Sequence, residues 1–141
     1  MQYMSVEYLY LKPNSPLPNI DRWKPFRAAV LIEAKVDEQW QANVSSWLVK
    51  SGCLYMVAWG IECSSWDDSV DFATLEKFNY GDIPEAEFVM TTWHENETLS
   101  DALFYLKNNA IHSVTDTPIT AIVHISHTSK KHEVLSSYAN A

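Results

Sequence analysis

The sequence predicts an α/β fold of three layers, a mostly parallel sheet of about five strands with helices on both faces. Three observations carry that expectation. Apolar runs at 26–34, 53–59, 88–93 and 119–126 have the unbroken character of strands buried on both faces. Segments with helical spacing separate them, the alternation expected of parallel strands joined by crossovers. The chain has 141 residues, 47% of them hydrophobic, enough for one globular domain over 1–141 with a sizeable core.

Residues 3–11 alternate, Tyr8 and Tyr10 against Leu9 and Leu11, and read as an edge strand of open direction. The stretch KPNSPLPN at 12–19 is a proline-rich connection, too irregular for helix or strand and too short to separate domains. After the second strand, Asp37 is a good N-cap for a helix over about 37–51. Trp40, Val44, Trp47 and Leu48 form its apolar stripe, and Gly52 follows its end.

Ser64 or Ser65 can cap a second helix running to about Phe78, with Asp67 and Asp68 in its first turn. NYGDIPEAE reads as a loop. Thr98 and Asp101 form a capping box for a third helix whose stripe is Leu99, Ala102, Leu103, Leu106 and Ala110. Trp40, Trp47, Leu103 and Leu106 should therefore be buried against the sheet. The tail from 127 to 141 has weak periodicity and reads as a short helix or a weakly structured segment. Strand order cannot be read from this pattern.

Charge is unevenly placed. The net charge is -8, and between Glu62 and Asp101 eleven acidic residues face a single base, Lys77. Such a field repels phosphate backbones and anionic lipid and attracts cations or basic protein surfaces. No nucleic-acid or membrane partner is expected. No apolar run approaches the roughly 20 residues of a membrane span, and the N-terminus lacks the marks of a secretion signal. Cys53 and Cys63 are too few for a disulfide framework, so a reducing cytoplasm is the expected setting.

In a parallel sheet the polar segments after successive strands converge at the carboxyl edge, the usual place for a site. These are residues 60–71, 94–97 and 124–127, with Glu33 and Lys35 beside them. His94, oriented by Glu95, has the chemistry of a general base, and Cys63 at a helix start that of a nucleophile. Trp59, Ser64, Ser65, Trp66, Asp67, Asp68 and Trp93 are the candidate ligand-binding groups. Asp67, Asp68 and Asp71 are near enough on a helix to share a divalent cation, or are simply solvated acids of its first turn. His124, inside a strand, reads as a hydrogen-bonded core residue, and His112 and His132 as exposed. No glycine-rich phosphate loop or G-x-S-x-G elbow is present, and no cofactor is expected.

The strings SGCLYMVAWG, CSSWDDSVD and FVMTTWHENETLSDALFYLKNNA together resemble an uncharacterised bacterial domain family, a domain of unknown function, over about residues 26–126. The resemblance implies a domain and its extent, and no activity. Two readings follow from the residues themselves. One is a small binding module whose acidic, tryptophan-lined cleft holds a polar or cationic ligand or a basic protein. The other is a metal-assisted or cysteine-dependent enzyme using the same cleft.

Overall fold

The structure is a computed structural model and describes residues 5–141. Its sheet contains β1 (Ser5–Leu11), β2 (Phe26–Ile32), β3 (Cys53–Gly60), β4 (Met90–Trp93) and β5 (Ile119–Ile125). All four pairings are parallel, in the order β1-β5-β2-β3-β4. The helices are α1 (Glu38–Lys50), α2 (Cys63–Lys77), α3 (Leu99–Asn108) and α4 (Lys131–Ala139). The fold is the three-layer α/β arrangement that the sequence predicts. Residues 3 and 4 of the expected first strand lie outside the described residues. Among the described residues no helix is long and apolar enough to cross a membrane.

β2 is buried along its whole length, and its side chains alternate between two cores. Phe26, Ala28, Val30 and Ile32 join Trp40, Val44, Leu48, Trp66 and Val70 under α1 and α2. Ala29 and Leu31 join Leu103, Leu106, Val134 and Tyr138 under α3 and α4. Period-two alternation is thus present, but both faces are apolar and the sequence reads as a continuous run.

α1 begins as expected, with the Asp37 carboxylate accepting from the Trp40 amide at 2.7 Å. Trp40 is buried, whereas Trp47 is only half-buried, contrary to expectation. The reason lies in the proline-rich connection. Trp40 Nε1 donates to the Ser15 carbonyl at 3.2 Å and Trp47 Nε1 to the Pro18 carbonyl at 2.7 Å. The two indoles hold a segment that makes few hydrogen bonds of its own, and Ile20 and Trp23 complete the core beneath it.

α2 departs from the sequence reading at its start. Its N-cap is Glu62, left-handed at φ 53°, with no side-chain cap, and Ser64 and Ser65 lie inside the helix. Gly60, at φ 109°, sits against β2 so closely that a Cβ there would lie 2.1 Å from the Ile32 carbonyl oxygen. Ile61 then donates its amide to that same oxygen at 2.8 Å, which turns the chain sharply and starts the helix early. Asp67 and Asp68 therefore fall beyond the first turn, where the helix dipole gives them little.

Two further expectations are corrected, and the open reading of the tail is resolved. β4 begins at Met90 rather than 88, because a 3-10 turn at Glu85–Glu87 leads into it. His112 is buried, not exposed: Nε2–H donates to the Phe88 carbonyl at 2.7 Å while Nδ1 accepts from the Val114 and Thr115 amides. The tail holds α4, whose Val134 and Tyr138 pack with α3. Lys107 on α3 caps its end, donating to the carbonyls of Tyr138, Ala139 and Ala141. Those contacts are tertiary, so the local pattern is weak.

Trp66→Ala, which empties a site only 1% exposed in the larger core, should cost about 3–5 kcal/mol in urea unfolding. Trp47→Ala should cost less, about 1–3 kcal/mol, because that ring is only partly buried against the core. A reversed order would mean that the proline-rich connection, not the helix–sheet core, limits stability.

Candidate functional site

The carboxyl edge of the sheet carries two hydroxyl–imidazole–carboxylate chains, both on the α3/α4 face. In the first, His124 is fully buried on β5. Tyr8 Oη lies 2.6 Å from Nδ1, and Glu33 Oε1 lies 2.6 Å from Nε2. Neutral imidazole satisfies both contacts when Nε2–H donates to Glu33 and the Tyr8 hydroxyl donates to Nδ1. Tyr8 Oη in turn accepts from the Lys130 amide at 3.1 Å, so the chain ties β1, β5 and β2 to the start of α4. β2 leaves toward α1 and β5 toward α4, which makes this gap a topological switch point. Side chains fill it. His124 is the hydrogen-bonded core residue that its strand position predicts.

The second chain runs Thr92–His94–Glu97. Thr92 Oγ1 is 3.0 Å from His94 Nε2, and Glu97 Oε2 is 3.0 Å from Nδ1. The carboxylate that orients His94 is thus Glu97, not Glu95, which is exposed. Trp59 Nε1 donates to the Glu97 carbonyl at 2.8 Å, fixing the same loop to β3. The His94 ring is 7% exposed and lies 4.7 Å from the Tyr105 ring. Tyr105 shares a 2.6 Å hydroxyl contact with Tyr55, whose pKa is raised by burial and then by that hydrogen bond. The order of groups resembles nucleophile, base and orienting acid. With both ring nitrogens engaged and the ring buried, the arrangement acts as a tie that pins the loop ahead of α3.

The sheet separates the other candidates from this cluster. Cys63 and Trp66 belong to the core under α1 and α2, 3% and 1% exposed, while His94 packs on the opposite face. Ser65 Oγ donates to the Glu62 carbonyl at 2.8 Å and accepts from Gln41 Nε2, and Ser64 is exposed. Asp67 is buried and Asp68 exposed. Among the described residues no three His, Cys, Asp or Glu side chains are arranged to hold a metal ion.

What the structure does gather is a surface at the β4 edge. An open groove of about 460 Å³ runs between α2 and β4, lined by Asp71, Thr74, Leu75, Ile83, Phe88, Val89, Met90 and Thr91. Thr91 Oγ1 donates to Asp71 Oδ1 at 2.9 Å. Trp93, two residues along the strand on the same face, is 51% exposed. Desolvation raises the Asp71 pKa, the Thr91 hydrogen bond opposes it, and Asp67 and Asp68 behind it add to the rise. Leu75, Ile83, Phe88 and Met90 were not among the residues singled out from sequence. Their signal is a run of large apolar side chains around a strand of only four residues.

A five-stranded parallel sheet, helices on both faces and a polar carboxyl edge define a three-layer α/β protein. Within that class the chain belongs to the family described as Domain of unknown function (DUF7684), whose model matches residues 6–141. The match takes in β1 and α4, beyond the 26–126 span of the sequence resemblance. No curated protein and no solved structure matches the chain.

Two predictions follow from these placements. Both thiols are buried, and burial pushes the Cys53 pKa up to about 12. At about pH 8 a thiol reagent should label neither cysteine in the folded protein within minutes and both in urea; rapid native labelling of Cys63 would restore it as a nucleophile. Asp71→Asn keeps an acceptor for Thr91 and removes a carboxylate that the fold disfavours when charged. It should raise the melting temperature by about 1–2 °C at neutral pH. Because the folded pKa lies above the unfolded one, that advantage should fade as pH falls through the raised value and vanish below the ordinary carboxylate range.

Proposed function

We propose that this chain is a protein-binding module, and that its docking face is formed by α2 and β4 for a partner with a basic, partly apolar surface. One observation carries the reading: an apolar groove lies beside an open edge strand within the acidic part of the chain. Of the nine large apolar side chains most exposed among the described residues, Ile61, Phe72, Leu75, Tyr80, Phe88 and Trp93 fall between residues 61 and 93. Of these, Leu75 and Phe88 line the groove, and Trp93 lies along β4 beside it. The acids Asp68, Asp71, Asp82, Glu85 and Glu87 belong to the same segment, so positive charge is attracted and phosphate repelled.

A protein suits this face better than a small cation. The carboxylates are spread along α2 and the turn before β4, with Asp71 interacting with Asp67 and Asp68. A spread of charge around apolar side chains is the pattern of an interface core with a polar rim. Two free cysteines suit the reducing cytoplasm, where we place the encounter.

The test uses a blocked heptapeptide of alternating lysine and valine, followed by tryptophan fluorescence. Replacing Asp68, Glu85 and Glu87 together by lysine should weaken its binding by at least about tenfold, and added salt should weaken it for the parent. Glu133→Lys, on α4 across the sheet, should leave it unchanged. Equal losses from both changes, or no loss from the triple variant, would remove this face as the docking site.

A further inference from the structure

The geometry points to strand addition: an extended basic segment of the partner pairs with β4 as a sixth strand. This inference rests on the docking face proposed above and specifies how it is used. β4 ends the sheet order, so one side of it is paired with β3 and the other is open. The His94 amide donates to the Ala58 carbonyl at 2.9 Å, which fixes the phase of the strand. Backbone groups alternate along a strand, so Met90, Thr92 and His94 point their N–H and C=O groups toward β3. Those of Thr91 and Trp93 point outward, giving two donors and two acceptors on the open side.

Edge strands are usually protected by a lysine, a proline, a bulge or a covering element. The β4 sequence MTTW has neither lysine nor proline, and its pairing with β3 has no register break. The α2 side of this edge carries the groove lined by Leu75, Ile83 and Phe88. A strand added here would send alternate side chains into that groove, the way in which strand addition combines main-chain affinity with side-chain selectivity. Apolar residues suit those positions. Lysine or arginine between or beside them would meet Asp71, which lines the groove, and Asp68 next to it. A second copy of this chain is disfavoured as the occupant, because β4–β4 pairing would bring two copies of the same acidic segment together.

Amide hydrogen exchange on the isotope-labelled full chain tests the inference, with the same lysine–valine heptapeptide as probe. At saturation the Thr91 and Trp93 amides should exchange at least about tenfold more slowly, the effect of gaining a hydrogen bond, while Met90 and Thr92 change little. Two N-methylated versions of the peptide then divide the outcomes. Methyl groups on the residues whose amides face β4 should weaken binding by at least about tenfold, and methyl groups on the intervening residues should not. If both versions bind like the parent peptide while the triple lysine variant still binds it weakly, the docking face stands and strand addition is wrong. No binding of the unmodified peptide overturns both. Thr91 and Trp93 amides already protected without peptide, in a protein that sediments as a dimer, would assign the edge to a second copy and overturn strand addition by a partner.

Discussion

The burial of β2 on both faces is the constraint on which the rest of the structure depends. A strand covered twice needs helices on two sides, and parallel crossovers supply them with their N-termini at one edge. It also forbids charge along its length. The single exception, Arg27, sits near the amino end, 4% exposed, and is placed where a cation is useful. Its guanidinium donates to Thr120 Oγ1 at 2.8 Å and to the carbonyls of Ala110 and Lys107. Those carbonyls close α3, so Arg27 meets the negative end of that helix as Lys107 meets the negative end of α4. Desolvation lowers the Arg27 pKa, yet arginine starts so high that the side chain stays charged.

The opposite edge is held by different chemistry. There the helices present N–H groups, and the strand ends are joined by the Tyr8–His124–Glu33 and Thr92–His94–Glu97 chains. Each satisfies a buried imidazole at both nitrogens and fastens a loop that lacks regular hydrogen bonding. In many open α/β sheets this edge is left hollow for a ligand. Here aromatic rings and polar ties occupy it, and the exposed, unsatisfied surface lies instead at the side of the sheet, along β4.

The acids gather on α2, the turn before β4 and the start of α3, the elements that surround the open strand. Apolar side chains are exposed among them, beside a carboxyl at Asp71 that the fold itself disfavours as an anion. β4 is short and partly exposed.

The sequence by itself determined the layers, the helix starts at Asp37 and Thr98, and the parallel direction of the four apolar runs from residue 26 onward, because these follow from local periodicity and capping chemistry. It also marked the acidic segment, since charge is read directly from composition. Only the tertiary structure decided which partners meet. Strand order places β5 between β1 and β2, which brings His124 to Tyr8 and Glu33 across more than ninety residues of chain. The sheet itself divides Cys63 from His94, because neighbouring positions on strands and crossovers lead to opposite faces. Gly60 moved the start of α2 through a contact with β2 that no local pattern records. The groove beside β4 escaped the sequence for the same reason: its lining comes from α2, the loop after it and the strand, and exposure is a property of the edge position, not of the residues.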